Sequence, residues 1–251
     1  MRCVVIVPTY NESSNVPELA ACLLALEPSV DVLIVDDASP DGTGELADRI
    51  AASDTRFSVL HRTGPRGYAA ACREGIAHAL EIGYDRICTM DADLSHDPTV
   101  LPALIAATEN ADLAIGSRYT PGGSLEVRWG PVRLAVSKAG SVYAGFMLGS
   151  PIRDCTSGFR CYRTAALQRF DIAGLESEGY CFLIEMLAAL SDAGCSAVEV
   201  PIRYVERIHG TSKISRRIIV EALLRTTVMG VRRITGRPMT RTGAFHSADS
   251  A

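Results

Sequence analysis

The chain has no apolar stretch long enough to cross a bilayer. Its longest uncharged run, 139–152, has 14 residues, against the roughly 20 that a spanning helix needs. It does not open on a basic segment followed by an apolar core, which predicts no signal peptide and a protein on the cytoplasmic side. Eight cysteines form no C-x-x-C pair and lie mostly in apolar runs. That excludes a cysteine-paired zinc site and predicts reduced core thiols. There is one tryptophan, Trp129, no internal repeat and no low-complexity tract. No G-x-G-x-x-G follows the first predicted strand, where Pro8-Thr9-Tyr10-Asn11-Glu12 stands instead, so a dinucleotide-binding fingerprint is absent.

What remains is ordinary for a globular α/β protein: 251 residues, 47% hydrophobic and 22% charged. The net charge of −4 hides an asymmetry, because residues 203–241 carry ten Lys or Arg against only Glu206 and Glu221. Either an anionic partner meets this basic segment or it is a solvated basic helix.

The chain is organised around Ile87-Cys88-Thr89-Met90-Asp91-Ala92-Asp93-Leu94-Ser95. It reads as a buried strand ending in two carboxylates that an extended backbone would point the same way. Such a pair suits a hard divalent cation, which would in turn hold phosphates. The alternative is an acidic helix start, since Asp97-Pro98 looks like an N-cap with proline at N1. Apolar strands are expected at 3–7, 32–35, 57–60 and 113–115 as well, with helical patterns between them. That alternation predicts a mostly parallel sheet with helices on both faces. Further on, a Gly- and Pro-rich loop over 119–131 precedes a helix over 132–148. Strands are expected near 159–162 and 197–201, with helices near 164–169 and 179–191. A basic amphipathic helix closes the fold, with Ile218, Ile219, Ala222, Leu223 and Met229 on one side and Arg217, Glu221, Arg225 and Arg232 on another. Acids collect after successive strands: Glu12, then Asp36 and Asp37, then Asp91 and Asp93. A bare cluster would repel itself and needs donors or a cation, and Asp36 and Asp41 could also cap helices.

Val7-Pro8-Thr9-Tyr10-Asn11-Glu12, residues 35–43 (VDDASPDGT) and residues 90–95 (MDADLS) resemble the inverting family-2 glycosyltransferases of GT-A fold. Residues 116–119 (GSRY), 154–160 (DCTSGFR) and 200–213 narrow the resemblance to the dolichol- or polyprenol-phosphate mannose synthases. It spans about residues 2–216. The implied organisation is a GT-A domain over 1–213, with a nucleotide half to about 117 and an acceptor half from 118. An amphipathic helix over 214–235 and a disordered tail over 236–251 would follow.

The implied reaction is GDP-mannose plus a polyprenyl monophosphate giving polyprenyl-phosphate mannose and GDP, with Mg²⁺ or Mn²⁺ as cofactor and no nucleic-acid partner. By position, Pro8, Tyr10, Glu12, Val35 and Asp37 would line the guanosine site. Asp91, Ala92 and Asp93 would meet metal and diphosphate, with Ser95 as a further metal ligand. Arg118, Arg207 and Lys213 would reach the phosphates, and Arg118, Arg133 and Ser137 would hold the acceptor phosphate. The set read as catalytic is Asp91, Asp93, Arg118 and Arg207. The acceptor is already an anion, so no strong base is needed, and no Ser/His pair stands out as an activated nucleophile. Glu185 is not expected to act as a base.

The chain departs from the family at three points. Ser95 stands where relatives often carry Gln, Arg66-Gly67-Tyr68-Ala69 replaces a Lys-Leu-Gly-Leu-Gly-like loop, and the C-terminal transmembrane helices of some relatives are missing. The lipid would then be met through an amphipathic surface at the membrane, with Trp129 as an anchor or a core residue, or through a membrane-anchored partner. The competing readings are a polyprenyl-phosphate glucose synthase using UDP-glucose and a non-catalytic sugar-nucleotide-binding module.

Overall fold

The computed structural model describes residues 1–127, 130–206 and 216–235. Trp129, Arg207, Lys213 and the 236–251 tail, all subjects of expectations above, lie outside the described residues.

The first half alternates strands and helices as the apolar periodicity requires. β1 (Cys3–Thr9), α1 (Val16–Leu24), β2 (Asp31–Asp36), α2 (Thr43–Ala51), β3 (Phe57–His61), α3 (Tyr68–Ile82) and β4 (Arg86–Thr89) run in that order. A short 3₁₀ turn at Pro98–Val100 leads into α4 (Leu101–Ala107) and β5 (Leu113–Ser117). Asp97 accepts from the Thr99 N–H at 2.9 Å with Pro98 following, the N-cap arrangement expected from the sequence. Then come β6 (Ser124–Glu126), α5 (Pro131–Leu148), β7 (Arg160–Arg163), α6 (Thr164–Leu167), α7 (Cys181–Asp192), β8 (Ala197–Pro201), β9 (Arg203–Val205) and α8 (Arg216–Ile234).

Seven strands form one sheet in the order β3-β2-β1-β4-β7-β5-β8. All neighbours are parallel except β7, which is antiparallel to both β4 and β5. The strands expected in the later part of the chain therefore join the same sheet as the first five. β6 and β9 pair separately, as a parallel ribbon.

Alternation along β1 builds two cores. Val4 and Ile6 face α3 and α7, while Cys3, Val5 and Val7 face α1 and α4. All eight cysteines are free thiols, six of them buried, as expected.

The chain runs from β1 outward to β3, then returns to lay β4 on the other side of β1. Such a reversal opens a crevice at the carboxyl ends of β1 and β4. Antiparallel β7 begins where its neighbours end, so the segment before it, residues 154–159, is delivered to the same edge.

α3 packs close on the sheet because it carries Gly75. A β-carbon there would stand 2.7 Å from Ile6 Cγ2 and 2.9 Å from Val35 Cγ2. Both neighbours are stiff β-branched side chains. Gly75→Ala should therefore destabilise the fold by roughly 1–3 kcal/mol despite alanine's better helix propensity. Chemical denaturation of the two proteins measures it.

Candidate active site

The loops after β1 and β2 are tied together by short polar side chains. Asp36 accepts from Thr9 Oγ1 at 3.2 Å and from Ser39 Oγ at 2.6 Å, and Asn11 N–H donates to Ser39 Oγ at 3.1 Å. Thr43 Oγ1 accepts from Glu12 N–H at 2.9 Å and donates to Asp41 at 2.6 Å, and Asp41 also accepts from Ser13 N–H at 3.1 Å. Asp36 and Asp41 thus satisfy loop hydroxyls and amides and do not cap α2 as foreseen, since its N-cap is Gly42 and makes no side-chain capping bond. Among the described residues, three non-glycines have a left-handed φ, Asn11, Ala38 and Leu94, and each lies just past a strand end, of β1, β2 and β4. Strain of this kind concentrates where loops are shaped for a ligand.

Asp37 is nearly buried and fully engaged. Its carboxylate takes Arg62 Nη1 on one oxygen and the Gly67 N–H at 2.7 Å on the other. Arg62 also donates to Glu74 at 2.8 Å. Arg66 lies across Tyr10, its guanidinium carbon 4.8 Å from the ring centroid, and donates to the Tyr10 hydroxyl at 2.8 Å and the Ala38 carbonyl at 3.2 Å. One dipeptide, Arg66-Gly67, therefore bridges the ends of β1, β2 and β3.

Pro8 is half-buried beside Val35 in the β1–β2 register. Glu12 accepts from Asn15 Nδ2 at 2.7 Å. Val35 itself is fully buried with its side chain against α3, so the structure gives it a core position and does not bring it to the site surface.

The carboxylate pair after β4 sits on a turn and not on extended backbone. Asp93 is folded back onto its own loop, accepting from Ser95 N–H at 3.1 Å and Ser95 Oγ at 2.5 Å. Ser95 is fully buried and also hydrogen-bonds Tyr204. It was expected to face a metal, yet its hydroxyl is spent on orienting Asp93. Ala92 is buried. Asp91 lies against Gly158, where a β-carbon would be 3.1 Å from Asp91 Oδ1 and 2.7 Å from the Tyr68 hydroxyl. Only glycine fits between those two groups. Burial, with Asp91 nearby, pushes the Tyr68 phenol well above its ordinary pKa.

Arg118, just past β5, is clasped by Asp154. Its Nε and Nη2 reach the two carboxylate oxygens at 2.7 Å each, and Nη2 also donates to Thr156 at 2.8 Å. Tyr119 and Tyr204 flank the guanidinium at 5.2 and 5.4 Å. Burial opposes the charge on both partners, but their bidentate contact overrides it, raising Arg118 and lowering Asp154 from their usual pKa values. Nη1 is the remaining donor for an anion. Ser137 on α5 bonds the Tyr119 hydroxyl at 2.8 Å, and Arg133 is exposed on the first turns of that helix. Glu185 accepts the Ser177 N–H at 2.7 Å, a loop anchor and not a base.

The sequence profile of glycosyl transferase family 2 matches residues 4–170. The chain belongs to that family. An undecaprenyl-phosphate mannosyltransferase of Micrococcus luteus is 46% identical to this glycosyltransferase over 231 residues, 92% of this chain and 95% of that protein. A polyprenol monophosphomannose synthase of Mycolicibacterium smegmatis is 44% identical over 233 residues, 92% and 88% of the two chains. Among solved structures, glucosyl-3-phosphoglycerate synthase from Mycobacterium tuberculosis with Mn²⁺, UDP and phosphoglyceric acid superposes with a TM-score of 0.64. That match has 18% identity and covers 94% of this chain and 79% of the other. At that identity the match speaks for the fold, and the expected GT-A, mostly parallel α/β architecture is borne out.

In this glycosyltransferase several site residues carried no sequence signal. Arg62 is an isolated basic residue until β3 places it beside Asp37. His96 looks like a loop histidine, yet it is buried, stacked on Phe159 with ring centroids 5.0 Å apart. Burial drops its pKa to about 4, so the ring is neutral near pH 7.

Asp154→Asn should cost the glycosyltransferase about 3–5 kcal/mol, because it strands a buried guanidinium. The sign with pH follows from the lowered Asp154 value. The native state holds this carboxylate ionised, so its contribution is complete above the ordinary value of 3.8 and lost as pH falls through the lowered one. Thermal unfolding across that acid window should show a component in the parent that the variant lacks.

Proposed function

We propose that this glycosyltransferase moves mannose from GDP-mannose to a polyprenyl monophosphate with inversion, giving polyprenyl-phosphate mannose and GDP. The observation that carries the reading is the arrangement along the carboxyl edge of the parallel strands. The Asp91/Asp93 turn after β4 lies on one side of β7, next to the loops after β1 and β2, and the rigidly held Arg118 after β5, with Tyr119 and Ser137 beyond it, lies on the other. One side suits a sugar-nucleotide diphosphate and the other an acceptor phosphate. The names of the two relatives support mannose and a polyprenyl acceptor, and GDP as the nucleotide follows from the resemblance.

The residues fit a divalent ion. Asp91 and Asp93 offer hard oxygen ligands, the one or two carboxylates that a Mg²⁺-like ion takes while completing its shell with phosphates and water. Such an ion would neutralise charge on the departing diphosphate.

The remaining work falls to the protein. Asp37, Tyr10 and Glu12 would hold the nucleoside, with Arg62, Gly67 and Arg66 fixing their positions. Arg118 would draw an acceptor-phosphate oxygen toward the anomeric carbon and offset the repulsion between two anionic substrates. That oxygen forms the new bond to the sugar as the bond to the diphosphate breaks. Its negative charge makes a general base unnecessary. The protein would work at the cytoplasmic face of the membrane, at the bilayer surface or on an anchored partner.

Purified protein with Mg²⁺ and a short-chain polyprenyl phosphate should transfer label from GDP-mannose into the organic phase, and not from UDP-glucose. EDTA should abolish transfer, and Asp93→Ala should lower it roughly 100-fold or more. Label from UDP-glucose alone would make the enzyme a glucose synthase. Nucleotide binding without transfer to any acceptor would make it a binding module.

A further inference from the structure

Arg66 stands in a loop where the chain departs from its family, so the resemblance assigns it no role. Its side chain is exposed yet held at three points, the Tyr10 ring, the Tyr10 hydroxyl and the Ala38 carbonyl. Long exposed arginines ordinarily keep their rotamer freedom, so this ordering calls for a cause.

The other arginines near this edge are ordered by acids. Arg62 pairs with Asp37 and Glu74, Arg73 with Glu178, and Arg118 with Asp154. Among the described residues no carboxylate pairs with Arg66, whose anchors are all neutral. Its bonds use one hydrogen on each terminal nitrogen, leaving Nε and the second hydrogen of each as donors in a fixed plane. A guanidinium held in place with its charge unmatched and donors to spare is built for an acceptor that the protein itself does not supply.

That plane lies beside Asp37. The Gly67 N–H donates to Asp37 at 2.7 Å, while Arg66 donates to the carbonyl of the following residue, Ala38. Residues 66–67 and 37–38 therefore meet side by side, and Ala38 adopts its left-handed φ of 53° at this contact. The Asp37 oxygens keep lone pairs beyond the bonds to Arg62 and Gly67. An acceptor and a donor group thus stand next to each other at the strand ends.

We propose that Arg66 is a specificity-determining residue that reads the nucleobase of the donor as guanine. Guanine carries two adjacent donors, N1–H and N2–H₂, on one edge and two adjacent acceptors, O6 and N7, on the next. A carboxylate matches the first pair and a bidentate guanidinium the second. Adenine sets N6–H₂ beside N7, so Arg66 would meet it donor to donor. Uracil has no N7 and a single N–H on its pairing edge, which leaves both protein groups half used. The proposal rests on the GDP-mannose reading, and its test separates the two.

The full chain is titrated calorimetrically, in buffer containing Mg²⁺, with GDP, 7-deaza-GDP and UDP. 7-Deaza-GDP keeps the ribose, the diphosphate and the Watson–Crick edge and loses only the N7 acceptor. The parent should bind GDP roughly tenfold or more tightly than either of the others. Arg66→Ala should weaken GDP by about that factor and bind GDP and 7-deaza-GDP alike. Arg66→Lys, a point charge without the fork, should recover little of the preference. UDP affinity unchanged from the parent shows that the variants are folded. Equal weakening of all three nucleotides would assign Arg66 to the phosphates or to loop shape and overturns the inference. A parent that prefers GDP, with Arg66→Ala keeping that preference, overturns the inference and leaves the GDP reading standing. A parent that prefers UDP overturns the GDP reading and the inference with it.

Discussion

The Arg118–Asp154 pair is the contact on which the working edge of the sheet depends. Asp154 is wholly buried, and its own N–H is held at 3.0 Å by Glu199 on β8. β8 therefore positions Asp154, Asp154 positions Arg118 just past β5, and the same segment places Gly158 against Asp91 beyond β4. Arg160 secures the segment from beneath, donating to the carbonyls of Ser157, Cys155 and Leu183 at 2.8 Å each. Without an anchored 154–159 segment, the Asp91 turn and Arg118 would have no fixed separation. Buried ion pairs contribute little net stability against an apolar replacement. Here the return is geometric, a cation whose direction is set before any substrate arrives.

Three buried arginines solve three different problems with one side chain. Arg62 supplies a counter-charge to Asp37, Arg118 takes its counter-charge from Asp154, and Arg160 has no acid and serves as a fork for backbone carbonyls. The guanidinium suits all three because its donors are planar, fixed and numerous. The acids follow the converse logic. Asp36 is satisfied by hydroxyls, Asp37 by a guanidinium and a backbone amide, and Asp93 by Ser95. The self-repulsion expected of the acidic strand ends is thus relieved mostly by donors on neighbouring loops.

Much of this was legible in the sequence because it depends on periodicity and on punctuation. Short apolar runs ending in polar, glycine or proline residues marked five parallel strands and the edge where they finish, and the resemblance carried by residues 7–12, 35–43 and 90–95 pointed to a nucleotide site there. What escaped is long-range. The antiparallel direction of β7 cannot be read from Arg160-Cys161-Tyr162, since a four-residue strand looks the same either way. Ala38 and Leu94 have no preference for a left-handed φ, so nothing local announces their turns. Asp91 and Asp93 were expected on extended backbone. The turn with Leu94 at positive φ instead gives Asp93 to Ser95 and Asp91 to the Gly158 gap. Val35 shows the opposite error, a residue taken for the site because of its neighbours and found in the core because of Gly75.

The same long-range dependence explains α8, whose Leu224, Val228 and Val231 stay exposed while Ala222 and Met229 pack inward. Leu223, expected on the same side as Ala222 and Met229, is turned outward instead. Hydropathy alone separates apolar from charged positions on a helix, but it cannot say which of two apolar stripes the fold will consume. That choice is made by Gly230 and Met147, whose close approach turns the small stripe inward and strands the larger side chains outside. Burying Leu224 and Val228 instead would require α5 to retreat by a side chain's thickness, and would pull Ser137 away from Tyr119. The helix packing that sets Ser137 against Tyr119 therefore also determines which apolar surface is left exposed beside it.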